Sequence, residues 1–288
     1  MSRKSIFATI GCMILLLVGT QSVLAGDLAG RLRLGGSGGM AMSEQEDLNG
    51  IMDDLEDFWS TWEVDWGEIE LRSVLLGGAY AEYLINENWV VGAEFQRLSS
   101  SSGSDWYLET AGTRGSTRDV DVSSGAAGNL ASVYGVYRLP LGDSPVALRL
   151  GGGVGYFFGA KFDMDFSVSQ EGQIGPGGDT TLVWHADLEA SGSNVAFHGL
   201  VGAEYEFTDN LFLSANFAYR VVAVTELEVD NVSASVNGVP DESWDIEEGD
   251  ILRWYDGEMG TYFSTVEGDK VGLDFSGLHV TLSVAYAF

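Results

Sequence analysis

Residues Leu278 to Phe288 read L-H-V-T-L-S-V-A-Y-A-F, with a large apolar or aromatic side chain at every even position and a small or polar one at every odd position. Strict period-two alternation over that length describes a β-strand with one apolar face. Such a strand exposes a row of unpaired backbone donors and acceptors unless a neighbour covers it. The first strand of the chain is the expected partner, and their pairing closes the sheet into a barrel.

Seven earlier runs repeat the pattern. Leu28, Leu32 and Leu34 alternate with Arg31 and Arg33. Ile69, Leu71, Leu75, Ala79, Ala81 and Tyr83 alternate with Arg72, Tyr80 and Glu82. Trp89, Val91, Ala93 and Phe95 oppose Gly92, Glu94 and Gln96, and Ala131, Val133, Tyr137 and Leu139 oppose Ser132, Tyr134 and Arg138. Val146, Leu148, Leu150, Val154, Tyr156 and Phe158 oppose Arg149, Gly151, Gly153 and Gly155. Phe197, Val201, Ala203, Tyr205 and Phe207 oppose His198, Glu204 and Glu206. Leu211, Leu213, Ala215, Phe217, Tyr219 and Val221 oppose Ser214, Asn216 and Arg220.

The connections alternate in length. Turns near residues 84–88, 140–145 and 208–210 are short, whereas loops near 37–68, 99–129, 161–195 and 226–274 are long. All four prolines fall in turns or loops, as ladder hydrogen bonding requires. The expected fold is therefore all-β, an eight-stranded antiparallel up-and-down transmembrane β-barrel with long extracellular loops.

The two faces of the strands separate this reading from a soluble, lipocalin-like barrel, whose apolar face lines a cavity. Arg31, Arg33, Arg72, Glu82, Glu94, Arg138, Arg149, Glu204, Glu206 and Arg220 all share the mixed face with glycines and small residues, a set able to pair across a narrow lumen. The other face is almost free of charge, Arg97 being the exception. Trp89, Tyr137, Tyr205, Phe207, Tyr286 and Phe288 lie on it near the short turns, where an aromatic girdle meets a lipid interface.

Arg3 and Lys4 precede an apolar run from Ile6 to Val18, followed by small residues up to Ala25. This predicts a cleaved export signal over residues 1–25 and one mature domain over 26–288. The apolar run is too short for a spanning helix, which takes about 20 residues. Cys12 is the only cysteine and lies inside that run, so the mature protein forms no intramolecular disulfide.

With these runs in hand, the chain resembles the eight-stranded outer-membrane barrels of Gram-negative bacteria. That group takes in the OmpA transmembrane domain, the opacity-type surface antigens and the porin-like OmpW proteins. Leu278, Val280, Leu282, Val284, Tyr286 and Phe288 are similar to the terminal signal read by the barrel-assembly machinery. The resemblance implies that machinery as a folding partner, outer-membrane lipid and lipopolysaccharide as surroundings, and the cell outer membrane as location. No peptidoglycan-binding module is expected after Phe288.

The formal net charge is −29, and the four long loops hold 34 of the 43 Asp and Glu but only five of the Lys and Arg. Acidity is thus expected at the outer surface. The preferred reading is solubility or a saline medium, with divalent cations or a surface ligand as partners in the alternative. Asp47, Asn49 and Gly50 only echo a calcium loop, so no metal site and no cofactor is assigned. Ser43 and Glu46 form a capping box ahead of Ile51, Leu55, Phe58, Trp59 and Trp62, which predicts a short acidic amphipathic helix. Trp59, Trp62, Trp66, Trp106, Trp184, Trp244 and Trp254 lie in loops and are expected to pack these against one another. Phe162, Met164, Phe166 and Val168 keep the even phase of the strand before them, which extends the barrel outward.

No catalytic residue is assigned, because His198 and His279 share the lumen phase with structural groups and His185 sits in a loop. Nucleic acid is not an expected partner of such an acidic surface. The function expected is a structural or surface-interaction role carried by the acidic loops. The alternative is a narrow, OmpW-like channel for small solutes or hydrophobic molecules, since eight strands leave little room inside.

Overall fold

The computed structural model describes residues 30–42, 73–110, 116–173, 179–241, 246–257, 260–264 and 268–288. The expected signal peptide, the amphipathic helix, Arg72, Trp59, Trp62, Trp66 and Trp244 lie outside the described residues.

Seven strands follow one another as antiparallel neighbours: β1 (Leu32–Met42), β2 (Ser73–Leu84), β3 (Trp89–Thr110), β4 (Ser116–Pro140), β5 (Val146–Gln173), β6 (Asp179–Thr208) and β7 (Leu211–Val221). Seven short pieces come next: β8 (Ala223–Val224), β9 (Glu228–Val236), β10 (Val239–Pro240), β11 (Arg253–Gly257), β12 (Gly260–Ser264), β13 (Asp269–Lys270) and β14 (Leu273–Asp274). The last strand, β15 (Gly277–Ala287), pairs with β7 on one side and β1 on the other, from Arg33 opposite Ala287 to Met42 opposite Leu278. Eight strands therefore form a closed antiparallel ring, and no helix occurs among the described residues. Closure removes the unpaired edge that the terminal alternation presented.

The outward face matches the alternation. Leu34, Leu150, Phe197, Leu282, Tyr286 and Phe288 are exposed, while Arg33, His279, Ala285 and Ala287 are buried inside. At the short-turn rim, Trp89 meets Tyr137 edge-on at 5.2 Å, and Tyr286 meets Phe288 at 5.1 Å. The first strand runs later than the expected 28–34 segment. Its glycine run carries no alternation signal, yet Gly35 is needed, because a Cβ there would strike the Tyr80 ring and the Val284 carbonyl.

The described residues of the second and third long loops are strand, and the outward extension expected from Phe162 to Val168 is shared by four strands. The strands β3 to β6 are 22, 25, 28 and 30 residues long and continue as paired ladders to Thr110–Ser116 and Gln173–Asp179. A tilted membrane strand needs only about 9–11 residues, so most of β6 stands outside the bilayer. Extended pairing satisfies backbone groups that a thirty-residue irregular loop would leave to solvent.

The β5 extension departs from the sequence reading in one respect. Its register slips against β6 between Phe157 and Ala160 and against β4 between Phe158 and Lys161, around Gly159 with φ 56°. The extra residue turns the even side chains inward, so Phe162, Met164 and Phe166 are buried inside the wall, not continuous with the lipid face of Tyr156.

The described residues between Val222 and Phe275 fold back over this wall. The strand β9 pairs with upper β6, and the Asn237-Gly238 turn, both residues at positive φ, returns the chain as β10. The β11 strand is flanked by β12 and β13, and β14 pairs with β8. Leu227, Leu252, Trp254, Leu273 and Phe275 from this segment join Leu98, Leu130, Phe157 and Phe162 in one apolar cluster that fills the outer end of the barrel. Trp184 and Trp254 thus pack against Phe166 and Phe263, respectively.

Candidate functional site

Inside the ring, one to four residues from the short-turn ends of the strands, charges form a belt. Arg33 stands opposite Glu82 in the β1–β2 register, and Arg138 stands opposite Arg149 in the β4–β5 register. Two arginines side by side are repulsive, and Glu204 from β6 resolves the conflict. It accepts hydrogen bonds from Arg33 at 2.8 Å, from Arg138 Nε at 2.8 Å and from Arg149 at 3.1 Å. Glu82 takes the other arm of Arg149 and a bond from the Tyr134 hydroxyl at 3.1 Å. The Arg33 guanidinium also lies 3.6 Å above the Phe212 ring. All five charged groups are at most 5% exposed, so the belt is a buried plug whose charges depend on one another.

The remaining members of the sequence-selected set divide. Glu206 sits at the rim, 3.7 Å from Arg138. Arg31 is outside the belt and bonds the Asp209 carbonyl at 2.9 Å. Arg220 and Glu94 form a second pair at 3.2 Å, further into the barrel, where Arg220 also donates to Gln96 at 2.5 Å and Ser132 donates to Glu94 at 2.9 Å.

Between belt and pair lies a cavity of about 40 Å³ lined by Tyr80, Glu82, Glu94, Arg149, His198 and Arg220 among others. That is room for roughly two or three water molecules. His198 Nδ1, Asn216 Oδ1 and Arg220 Nε are buried around it without a protein hydrogen-bond partner. A Cβ on Gly151 would strike the Gly135 carbonyl and the Val136 side chain, and one on Gly153 the Val133 carbonyl and the Tyr134 and His198 side chains. Above the cavity, His279 bonds the Phe275 carbonyl at 3.1 Å, and the apolar cluster begins.

The outer surface of the upper wall carries a grouping that sequence reasoning missed. Asp165 on β5 lies opposite Asp187 on β6, and His185 shares the same face two residues along. His185 Nε2 is 3.1 Å from Asp187 Oδ2. Burial, then the neighbouring Asp187 carboxyl, pushes the Asp165 carboxyl above its ordinary range. The signal available in the sequence was the odd-position spacing Asp163-x-Asp165 and His185-x-Asp187-x-Glu189 on consecutive strands. It becomes visible only once both segments are recognised as strands.

A closed ring with a lipid-facing band, a charged lumen and a tall polar wall on the long-connection side defines an outer-membrane β-barrel protein. The chain belongs to the family of the outer membrane protein beta-barrel domain, which it matches over residues 12–238, and its place is the outer membrane. Among solved structures, it is similar to the outer membrane protein OprG from Pseudomonas aeruginosa, with 12% identity, 91% of this chain and 98% of that one covered, and a TM-score of 0.31. An outer membrane channel from Pseudomonas putida F1 shares 10% identity over 93% of this chain and 100% of its own, with a TM-score of 0.24. No match is found among curated protein sequences.

Proposed function

We propose that this protein is a surface-presenting barrel, closed to solutes, whose role is carried by its acidic extracellular part. The observation that supports this most directly is closure of the lumen at two levels by unlike means. The Arg33–Glu82–Arg138–Arg149–Glu204 belt blocks one end, and the Leu98–Phe157–Leu252–Phe275 cluster blocks the other. In this reading the exposed side chains of the upper wall and cap meet lipopolysaccharide, divalent cations or a surface ligand, while Leu278, Val280, Leu282, Val284, Tyr286 and Phe288 serve assembly.

The second reading, a narrow channel, is favoured by the polar cavity between the two closures and by its unpartnered buried groups. Single-channel recording in planar bilayers tests both. The closed-barrel reading expects no conductance from the native protein, and conductance only when Glu204→Ala breaks the belt in a protein that also lacks residues 226–274. Steady conductance from the native protein overturns it in favour of the channel.

A further inference from the structure

We propose that Asp165, His185 and Asp187 form a binding site for one first-row divalent transition-metal ion on the extracellular outer face of the β5–β6 wall. The proposal names a site and a ligand class beyond the surface role above, and it does not depend on whether the lumen conducts.

One ligand atom from each of the three side chains can be chosen so that all lie within 4.8 Å of one another. An ion bonded at about 2.0–2.2 Å to nitrogen and oxygen draws such atoms together by side-chain rotation alone. The backbone already holds the donors in place. Asp165 faces Asp187 directly across the ladder, and β6 is paired on its other side to β9 at this height. Donors carried on paired strands lose little freedom on binding.

The local charge also calls for a cation. Like charges directly opposite on neighbouring strands repel, and Asp121 on β4, opposite Ser167, adds a third carboxylate beside Asp165. On the outer face of β5, Lys161 stands four residues away, roughly 13 Å along the strand. His185 partly offsets the repulsion through its contact with Asp187, and Ser233 on β9 steadies the same carboxylate oxygen at 3.4 Å. Ser233 is placed as an outer partner that orients the ligand.

The donor chemistry selects the ion. Calcium and magnesium take oxygen ligands, whereas imidazole with carboxylates suits zinc, nickel, copper and similar ions. His185 is also the one histidine within reach of external solvent, since His198 and His279 are both buried in the lumen. A histidine-dependent metal signal from the mature protein therefore reports on this place.

The test uses tag-free full-length barrel in lipid nanodiscs, titrated calorimetrically with Zn²⁺ alone and separately with Ca²⁺. One Zn²⁺ per chain is expected, released by a chelator, with affinity lowered about tenfold or more in His185→Ala and in the near-isosteric Asp165→Asn and Asp187→Asn. Calcium binding should be the same in His185→Ala as in the native chain. A second readout is acylation of His185 by diethylpyrocarbonate, located by mass spectrometry, which Zn²⁺ should suppress. Far-UV circular dichroism establishes that each variant keeps its strands. Absence of stoichiometric zinc binding, or zinc affinity unchanged by His185→Ala, overturns the site and leaves only a diffuse acidic surface. Either result leaves the conductance experiment untouched.

Discussion

The lower and upper halves of this barrel are built from the same strands and are inside out with respect to each other. Below, the outer face carries Leu150, Phe197 and Leu282 and the inner face carries Arg33, Arg149 and Glu204. Above, Asp163, His185 and Glu189 point outward while Phe162, Leu188 and Ala190 are buried inside. The surroundings explain the inversion. Lipid cannot hydrate a charge, so the membrane half turns its charges inward and must pair them there. Water outside the upper half makes an apolar core favourable again, as in any soluble sheet.

The strands reach this inversion by two routes. In β6 the backbone phase is constant, and the apolar side chains move from odd positions such as Phe197 and Val201 to even ones such as Leu188 and Ala186. In β5 the apolar side chains stay at even positions, and the bulge at Gly159 rotates the backbone instead. Residues on neighbouring strands thereby face the same side at every height.

Breaking the lower half should have the largest effect. Glu204 accepts from three buried arginines, and Glu204→Ala leaves them with only Glu82 and the more distant Glu206 as counter-charges, at a cost of about 3–5 kcal/mol. Urea unfolding in lipid vesicles should show this as a lowered midpoint. If the midpoint barely moves, solvent screens the belt and its charges do not depend on one another.

Breaking the upper half should be nearly as costly but local. Leu252→Ala empties a fully buried position in the apolar cluster and is expected to lose about 2–5 kcal/mol. Hydrogen exchange should speed up in residues 222–275 while β7 and β15 keep their protection. Equal loss of protection in both regions would mean that the two halves unfold as one unit, which would end the division drawn here.

The hinge between the halves is less expensive to disturb. Gly159→Ala places a Cβ at a left-handed backbone position, costing about 1–2 kcal/mol. Deleting Gly159 is the sharper experiment, because it restores a constant phase and points Phe162 and Met164 at water. The deletion should expose dye-binding apolar surface on the upper wall without unfolding the membrane strands.

These two routes also explain what could be read from sequence. Seven of the eight staves and their lipid faces were legible because period-two alternation survives wherever one face meets lipid, whereas the first stave was placed too early. The ladders above the membrane were legible only in β5, since Ser99–Ser102 and Gly125–Gly128 carry no side-chain contrast and their pairing is set by strands already aligned below. Phe162 to Val168 was legible as a strand, but its facing was not, because one glycine reverses it. The belt members Arg33, Glu82, Arg138, Arg149 and Glu204 were identifiable as lumen residues. That they form one cluster while Arg220 pairs separately with Glu94 depends on strand stagger, which alternation does not encode. Of the Asp165–His185–Asp187 grouping, Asp165 fell on the run read as a strand extension, whereas His185 and Asp187 fell in a segment read as a loop.

The smallest effect should come from the ion pair that most resembles the belt in chemistry and least in setting. Lys270 donates to Glu226 on the cap, with side chains 42% and 50% exposed. That hydrogen bond and the attraction of the ammonium hold the Glu226 carboxyl below its ordinary value. A depressed carboxyl contributes stability that is present above the unfolded value, about 4.3, and is lost as pH falls through the folded one. Hydrogen exchange across β13 and β14 should therefore quicken slightly as pH drops below about 4.3, beyond the intrinsic trend. Lys270→Gln should abolish that extra acid sensitivity while leaving protection at neutral pH nearly unchanged, because exposed pairs are screened by salt and contribute little. A large loss of cap protection in Lys270→Gln at neutral pH would show that the cap is held by surface charge and not by its apolar cluster. The contrast between the halves would then lie in their charges, with the apolar packing secondary.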